Sequence, residues 1–300
     1  MSRSVLVMLT HPSAEDADGG TAEPDFWMAD PLQPQVSVLD FAVTRGDGIF
    51  ESISVIGGHP HALDAHLERL SRSAAALELP PPKLTVWRDA IAAALAELDP
   101  VPEASVRAVL SRGIEGEGQP TAWVYAAPTP DFSRVRVAGV RVVLLDRGYR
   151  HDAGRTSPWL LVGAKTLSYA VNRAAIREAV RRGADEVIFV SSDGYVLEGA
   201  TSSVVYRRGD RLLTPGDPDG LSVGVLDGTT QGDVFRWAQK AGLDTGVELV
   251  TPGQLVAAES IWLVSSARHA VPVRELDGIA HPVDEATTAA INSFLMHREH

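Results

Sequence analysis

Residues 161–203, LVGAKTLSYAVNRAAIREAVRRGADEVIFVSSDGYVLEGATSS, form the segment around which the rest of the chain is organised. From Leu167 to Ala179 its apolar residues recur at spacings of three and four, which predicts an amphipathic helix. Gly183 follows two arginines and ends that helix, as glycine commonly does at a helix C-terminus. Lys165 precedes the helix and follows an apolar run, so we expect its amine to be partly shielded from water.

Two strands are predicted after the helix. Residues 186–190 are typical of a buried strand, residues 192–194 of a tight turn, and residues 195–200 return with Glu198 among apolar neighbours. This order of elements could bring Lys165 and Glu198 to one cleft. On spacing alone, the ordinary alternative is the commoner one: a solvated lysine and a strand glutamate that faces water.

A lysine and a glutamate in one cleft would suit the chemistry of pyridoxal 5′-phosphate. A desolvated lysine with a lowered pKa can bond to this cofactor, and an acid at the ring nitrogen keeps the ring protonated, so that the ring accepts electrons. The chain has only three lysines, Lys83, Lys165 and Lys240. Because Lys83 follows three prolines in a loop and Lys240 falls on an exposed helix face, Lys165 is the candidate catalytic lysine.

Composition excludes several classes of protein. The 300 residues are 45% hydrophobic and 22% charged, which is typical of a globular chain with one large domain or two subdomains. A net charge of −12 argues against a nucleic-acid binder, and the lack of cysteine excludes disulfides and thiol nucleophiles. The nine histidines show no ligand spacing, so no metal site is predicted. Apolar runs are too short for a secretory leader or a membrane span, and we predict a cytoplasmic protein without a membrane partner.

Two motifs resemble a known family. KTLSYAVN at 165–172 and DGYVLEGATS at 193–202 resemble the signature of the class IV pyridoxal-phosphate aminotransferases, of the D-amino-acid and branched-chain type, and of aminodeoxychorismate lyases. The resemblance covers nearly the whole chain after about Val36. It implies an α/β fold of the α+β type, known as fold type IV: a smaller N-terminal α/β domain at 1–130 and a larger C-terminal domain at 131–300, built on a β-barrel-like sheet with helices and carrying the lysine.

The resemblance also implies roles for individual residues. Lys165 would bond to pyridoxal phosphate, Tyr169 would hydrogen-bond the ring oxygen, and Glu198 would hold the ring nitrogen protonated. The other cofactor-binding residues that it implies are Arg69, Thr201, Gly228, Thr229, Thr230 and Ser266, of which Arg69, Thr229, Thr230 and Ser266 would hold the phosphate.

Two motifs lie upstream. Residues 45–55, RGDGIFESISV, predict a glycine turn that leads into a strand, and they resemble a family motif to which we assign no catalytic group. Residues 63–74 predict an amphipathic helix with Asp64 as a possible N-cap. By default Arg69 on that helix would be solvated, but residues 66–70 match a family motif whose arginine contacts phosphate, and a planar guanidinium suits that contact.

Two more segments lie downstream. Residues 228–231, GTTQ, precede a helix predicted from Asp233, and they indicate either an anion site or plain capping. The family places Gly-Xaa-Thr-Arg here, so Gln231 stands in place of the usual arginine. Ser266 ends a predicted buried strand, and Ser203 stands where many relatives have asparagine.

Three arginines are candidates for binding the substrate carboxylate. Arg107 and Arg112 alternate with apolar residues on one predicted strand, where they could face a substrate or simply solvent; Arg268 would face the mouth of the pocket. Residues 11–35 show no period and predict a loop insertion, either a surface loop or a lid that uses Phe26 and its neighbour Trp27.

Three functions remain open. We favour a pyridoxal-phosphate lyase that converts 4-amino-4-deoxychorismate to 4-aminobenzoate and pyruvate in folate biosynthesis, because residues 109–113, VLSRG, and Ser52 resemble such lyases. The alternatives are an aminotransferase for D-amino acids or branched-chain amino acids with 2-oxoglutarate, and a non-catalytic relative that binds a metabolite. The expected partner is a small amine or an amino-acid-like carboxylate, and the resemblance implies a homodimer.

Overall fold

The computed structural model describes residues 4–14, 24–218 and 224–297. The strands are β1 (Val5–Leu9), β2 (Phe26–Ala29), β3 (Gly48–Ile56), β4 (His59–Pro60), β5 (Glu103–Ser111), β6 (Thr121–Pro128), β7 (Val140–Asp146), β8 (Glu186–Val190), β9 (Val196–Gly199), β10 (Ser203–Arg208), β11 (Arg211–Pro215), β12 (Asp244–Glu248), β13 (Ser260–Ser265), β14 (His269–Leu276) and β15 (Ile279–Ala280). The helices are α1 (Phe41–Thr44), α2 (Leu63–Ala76), α3 (Leu84–Ala96), α4 (Ser133–Ala138), α5 (Ala153–Thr156), α6 (Ala170–Arg181), α7 (Thr229–Lys240), α8 (Pro252–Val256) and α9 (Glu285–His297).

The chain divides into two compact units. The first contains the residues up to Pro130 together with Ala164–Tyr169, and the second contains Asp131–Gly163 and the chain from Ala170 onward. The predicted domains differ from these units at Ala164–Tyr169, which carries Lys165. The sequence predicts that this segment belongs to the C-terminal domain, whereas its backbone pairs with β3 of the first unit.

The first unit is built on a six-stranded antiparallel sheet in the order β2-β1-β6-β5-β3-β4. Helix α2 packs on β3, and α3 packs on β1 and β6. The loop predicted at 11–35 is wrong for β2, because residues 26–29 pair with β1 as an edge strand. Residues 15–23 of that prediction lie outside the described residues.

The second unit is built on a nine-stranded sheet in the order β12-β11-β10-β13-β14-β7-β8-β9, with β15 beside β14. Strand β9, at one end of this order, also packs against β10 and β11, so the sheet curls back on itself. Side chains along a strand alternate between the two faces of this curled sheet. Ile261 and Leu263 of β13 belong to the core inside the curl, whereas Trp262 and Val264 belong to the core under α7 and α9. The predicted mixed α/β class with a barrel-like sheet is confirmed.

The central stretch folds largely as its pattern predicts. Helix α6 buries Ala175 and Ala179 in a cluster with residues of β7 and β8, and Gly183 then adopts a φ of 80°. Strand β8 has the predicted limits. Within 4–14, 24–218 and 224–297, no helix is both long and apolar enough to span a membrane.

Candidate active site

The backbone around Lys165 is fixed against the start of β3. The Phe50 N–H donates to the Lys165 carbonyl at 3.0 Å, and the Leu167 N–H donates to the Gly48 carbonyl at 2.8 Å. The Lys165 N–H donates to Ser73 Oγ on α2 at 3.2 Å. Hydrogen bonds to β3 and to α2 therefore hold the Lys165 backbone, and they leave little freedom in the position from which its side chain extends.

The Lys165 side chain is half-buried and lies beside an aromatic ring. Its Nζ lies 4.6 Å from the centroid of the Phe50 ring, within the range of a cation–π contact. Phe50 in turn packs edge-on against Tyr169, with ring centroids 5.3 Å apart. The structure therefore brings Lys165 and Tyr169, two predicted cofactor residues, to one aromatic cluster of the first unit.

The residue after Phe50 points to the opposite face of β3 and forms a buried ionic cluster. Both Glu51 and Arg69 are buried. Glu51 Oε1 accepts from Arg69 Nε, and Oε2 accepts from Arg69 Nη2, both at 2.7 Å. His66 Nδ1, one turn earlier on α2, lies 2.7 Å from Oε2. Arg69 is therefore not a solvated helix arginine, and its phosphate contact stays a prediction.

Burial and ion pairing act on this cluster in opposite directions. Burial disfavours the charged form of Glu51, but the hydrogen bonds and charge of Arg69, with those of His66, outweigh it and lower the pKa of Glu51 to about 2. Burial lowers the pKa of His66, against the contribution of Glu51, and the charges of Arg69 and Lys165 act in the same direction as burial. At neutral pH the cluster therefore contains an ionised Glu51 and a neutral His66 that donates from Nδ1.

These pKa shifts predict acid lability. Glu51 titrates near 4.5 when unfolded and near 2 when folded, so its contribution, about 3 kcal/mol at neutral pH, is lost as the pH falls through that window. The depressed pKa of His66 has the same sign, because the unfolded imidazole takes up a proton first. Denaturant unfolding of the apoprotein between pH 7 and pH 3 should show stability falling with pH, less steeply in a Glu51→Gln/Arg69→Met variant. Parallel curves would refute this origin.

The second unit holds Glu198 on β9. Its Oε2 accepts a hydrogen bond from the Leu226 N–H at 3.1 Å, which orients the carboxylate. The charge of Glu198 is close enough to Tyr149 to contribute to the raised pKa of that phenol, which arises mainly from burial. A carboxylate in this half-buried position can hold a protonated ring nitrogen, as the motif implies.

Arg147 lies close to Tyr149, which is itself close to Glu198. The sequence did not predict a role for this arginine. Its Nη2 donates to Asn172 Oδ1 at 3.2 Å, and Asn172 Nδ2 donates to the Ala200 carbonyl at 2.7 Å. The guanidinium carbon lies 4.4 Å from the centroid of the Phe189 ring. Within the described residues its Nη1 is buried without a hydrogen-bond partner. The available signal was an arginine directly after the end of β7.

Hydroxyl groups gather at the N-terminus of α7. Gly228 is the N-cap, and Thr230 Oγ1 lies 3.5 Å from Ser266 Oγ. A Cβ on Gly228 would lie 2.3 Å from Ser203 Oγ, so a larger residue there would require the Ser203 hydroxyl to move. The helix begins at Thr229 rather than at Asp233, which places its first-turn N–H groups beside these hydroxyls. The predicted residues Gly228, Thr229, Thr230 and Ser266 thus come together in the second unit.

Arg107 lines a cleft of about 540 Å³ in the first unit. It lies opposite Ser52 of β3 and Tyr125 of β6 in the strand register, on the side of the sheet that carries Phe50. The other cleft-lining residues are Leu6, Met8, Pro31, Gln33, Gln35, Val36 and Trp123. The combination of one cation, two amides and two aromatic rings suits a small carboxylate with an apolar part.

The other two predicted substrate arginines have protein partners instead. Arg112 Nε donates to Asp47 Oδ2 at 2.7 Å, and its Nη2 donates to the Leu77 carbonyl at 2.6 Å, so it ties the end of α2 to the turn before β3. Arg268 pairs with Glu186 and donates to Thr201 Oγ1 at 3.2 Å. Because these contacts occupy both guanidinium groups, we do not carry either arginine forward as a substrate residue.

One group of possible metal ligands went unnoticed in the sequence. His151, Asp152 and Asp193 have ligand atoms within 4.8 Å of one another. They are already engaged: His151 Nδ1 lies 2.6 Å from Asp193 Oδ2, and Arg150 pairs with both carboxylates. The group fixes the loop after β7 to the turn before β9.

Comparison with known proteins identifies the family of this chain. Residues 48–276 match the family model for amino-transferase class IV. A bifunctional aminodeoxychorismate lyase / D-amino acid transaminase from Mycobacterium tuberculosis is 43% identical over 284 residues, 87% of this chain and 96% of that protein.

Solved structures show the same fold over nearly the full length. A fold IV transaminase from Curtobacterium pusillum is 48% identical, with a TM-score of 0.93 over 99% of this chain and 100% of that one. A hypothetical aminotransferase from M. tuberculosis, solved with alpha-ketoglutarate and PMP bound, is 40% identical, with a TM-score of 0.84 over 91% of this chain and 97% of that one. From its motifs, its fold and these matches, the chain belongs to the class IV aminotransferases, a family of pyridoxal-phosphate enzymes.

Proposed function

We propose that this protein is a pyridoxal-phosphate-dependent 4-amino-4-deoxychorismate lyase that releases 4-aminobenzoate and pyruvate. The observation that carries the proposal is the shared face of the first unit's sheet, on which Phe50, beside the amine of Lys165, is followed by Ser52 and its cross-strand neighbour Arg107. A reactive amine, a hydroxyl and a cation for a carboxylate are the groups that such a substrate requires. The similarity to a relative that carries the lyase name supports this choice.

The residues present fit pyridoxal phosphate. The N-terminus of α7 offers backbone N–H groups, two hydroxyls 3.5 Å apart and a glycine where a Cβ would collide, which is the donor set for a phosphate. In the same unit, Arg147 Nη1 and Ser202 Oγ are buried polar atoms with no hydrogen-bond partner among the described residues. Buried polar atoms in this state are available to hydrogen-bond a polar ligand.

We assign the following roles. Pyridoxal phosphate, when bound, supplies an aldehyde that captures an amine and a ring that stabilises negative charge on the adjacent carbon. Lys165 would hold the cofactor through Nζ. Once the substrate amine had displaced it, the freed Nζ would remove the proton from the carbon that bears that amine. Tyr169 hydrogen-bonds the ring oxygen, Glu198 accepts from the ring N–H, and Thr201 adds a hydroxyl.

The phosphate and the substrate have separate anchors. Arg69, with Gly228, Thr229, Thr230 and Ser266, holds the phosphate through charge-assisted and neutral hydrogen bonds. Arg107 orients a substrate carboxylate. The cleft beside Arg107 has aromatic walls, which shield a cyclohexadiene ring from water while it becomes aromatic.

A second function is favoured by one observation: transamination of a D-amino acid with 2-oxoglutarate in the same site. The M. tuberculosis relative carries both names, and both reactions begin with the same proton removal by the lysine. Only the later steps differ, since the transaminase needs an oxo-acid acceptor. Arg107 would serve a carboxylate of either substrate.

The deciding experiment supplies purified holoenzyme with 4-amino-4-deoxychorismate and no oxo acid. Release of 4-aminobenzoate and pyruvate in equal amounts over many turnovers supports the lyase. Activity restricted to an amino acid plus 2-oxoglutarate assigns the transaminase instead. A protein that binds the cofactor but turns over neither substrate would be a non-catalytic relative.

Arg107→Ala should raise KM for the carboxylate substrate by about 10- to 100-fold, because a charge-assisted hydrogen bond contributes about 1.5–3 kcal/mol. Cofactor affinity should not change. Arg173→Ala, on the exposed face of α6, is the matched control and should leave both constants unaltered. An unchanged KM in Arg107→Ala excludes this arginine as the carboxylate anchor.

We also propose a homodimer. The first unit exposes three apolar residues within six positions, Val38 at 78%, Leu39 at 63% and Val43 at 61%, and such a patch commonly marks a protein contact. Sedimentation at micromolar concentration should give twice the mass of the 32.0 kDa chain. A fully active monomer would contradict the proposal. Val43→Glu should shift the equilibrium toward monomer.

A further inference from the structure

The motif GDGIFE at residues 46–51 ends in a glutamate to which the roles above assign nothing. Glu51 is fully buried in the first unit, and its carboxylate faces α2. Three nitrogen atoms surround its two oxygens at 2.7 Å: Arg69 Nε on Oε1, and Arg69 Nη2 and His66 Nδ1 on Oε2. Burying a carboxylate and bringing three nitrogen atoms to it costs free energy. We therefore infer that this arrangement has a role beyond packing.

The two parallel bonds from Arg69 define the orientation of its guanidinium. Nε and one hydrogen of Nη2 are directed at Glu51, so the plane of the group is set by the carboxylate. The remaining donors, on Nη1 and the second Nη2 hydrogen, point away from Glu51 along the other edge. An arginine that must meet a phosphate in bidentate fashion needs this edge in a fixed direction.

His66 secures the carboxylate itself. Its Nδ1 contact on Oε2 is made by a ring that is almost completely buried, on the same helix as Arg69 and one turn before it. With Oε2 held from two sides, the carboxylate cannot rotate about its terminal bond without losing a hydrogen bond. Glu51, His66 and Arg69 therefore form one rigid cluster between β3 and α2.

Stability alone does not explain the cluster. The contacts favour the ionised form of Glu51 over its protonated form, but apolar side chains of similar volume in place of a buried ion pair usually stabilise a fold as well or better. The same strand also carries Phe50 against Lys165 on its other face. A charged pair at this point of β3 is therefore better explained by orientation than by added stability.

We propose that Glu51, with His66, is a positioning residue that fixes the guanidinium of Arg69 in the orientation that binds the cofactor phosphate. The inference rests on the proposed role of Arg69 as a phosphate ligand. It assigns the glutamate of the upstream motif to the cofactor's phosphate rather than to the reacting carbon.

The test compares the affinities of the apoprotein for pyridoxal phosphate and for pyridoxal, which lacks the phosphate. Glu51→Gln should weaken binding of pyridoxal phosphate by about tenfold, the loss of one well-oriented charge-assisted contact. It should leave binding of pyridoxal within about twofold of the unsubstituted protein. Equal weakening of both ligands would overturn the proposal, because a general structural defect does not distinguish them.

A double-mutant cycle separates this inference from the role of Arg69. Arg69→Met alone should weaken pyridoxal phosphate at least about tenfold, and adding Glu51→Gln to it should cause no further loss. If Arg69→Met has no effect, the phosphate role of Arg69 fails. If Arg69→Met weakens binding but Glu51→Gln does not, or the two effects add, only the positioning role fails.

A second variant keeps the test decisive if Glu51→Gln does not fold. Glu51→Asp retains the charge but withdraws the carboxylate by one methylene, so it cannot meet both nitrogen atoms of Arg69 in the present geometry. It should weaken pyridoxal phosphate by about threefold or more while pyridoxal is unaffected. Unchanged affinity for pyridoxal phosphate in a folded Glu51→Asp protein would overturn the proposal.

Discussion

Replacing Lys165 with alanine is expected to abolish turnover with every amine substrate. The amine of Lys165 both bonds to the cofactor and moves the substrate proton, so alanine removes two functions at once. The fall should exceed about 10³-fold in kcat, measured as release of 4-aminobenzoate or as transamination, since loss of a covalent catalyst removes a whole reaction path.

Lys240→Ala is the matched control for this change. Lys240 lies on the exposed end of α7, with Nζ 5.3 Å from the Phe294 ring, and should affect turnover by less than about twofold. Full activity in Lys165→Ala, or equal losses in the two variants, would remove Lys165 from the mechanism.

Glu198→Gln is expected to slow turnover by roughly 10²-fold while cofactor affinity changes little. A glutamine amide still reaches the ring nitrogen, but it carries no charge to stabilise the protonated ring, so the gain realised during proton removal is lost. The structure supports this separation, because the hydrogen bond from the Leu226 N–H to Glu198 Oε2 can equally hold the amide oxygen in place.

The primary kinetic isotope effect of an α-deuterated substrate distinguishes this role from a structural one. With an α-deuterated D-amino acid, Glu198→Gln should show a larger primary isotope effect than the unsubstituted protein, because proton removal becomes more strongly rate-limiting. Glu248→Gln, a matched glutamate that accepts from Tyr206 in the same unit, should not. A Glu198→Gln variant with unaltered kcat would exclude the ring-nitrogen role.

Local elements could be predicted from the sequence where burial and period agree. Strand β8 has the predicted limits because five consecutive apolar or shielded residues fit only a covered strand, and α2 begins at the predicted Leu63. The prediction that Asp64 is the N-cap of α2 is wrong. The N-cap is Ala62 in a left-handed conformation, while Asp64 lies inside the helix and pairs with Arg88, a contact between two helices that pattern cannot show.

The site was predictable where one motif carries it and not where distant segments meet. Lys165 and Tyr169 share a motif and share an aromatic cluster. The pairing of Glu51 with Arg69 joins residues 18 apart, and either residue alone has an ordinary explanation, so the sequence could not assign the glutamate a partner. Arg147 was missed for the same reason, since its Asn172 partner lies 25 residues away.

The substrate arginines show the limit of strand alternation. Arg107 and Arg112 are five residues apart, which places them on opposite faces of an ideal strand. The sequence pattern nevertheless offers both as candidates for binding the substrate carboxylate. The register separates them: Arg107 faces the cleft with Tyr125, whereas Arg112 follows the end of β5 and binds Asp47. Whether an arginine can reach a substrate depends on its tertiary partners and not on the local sequence pattern.

We propose that Lys165 carries the cofactor, and because the chain has three lysines, one measurement can test this. Holoenzyme reconstituted with pyridoxal phosphate is reduced with borohydride, digested and mapped by mass spectrometry. The cofactor mass should be found on the peptide that contains Lys165 and on no other. A stable adduct on the peptide of Lys83 or Lys240, or none on a protein that is active before reduction, would contradict it.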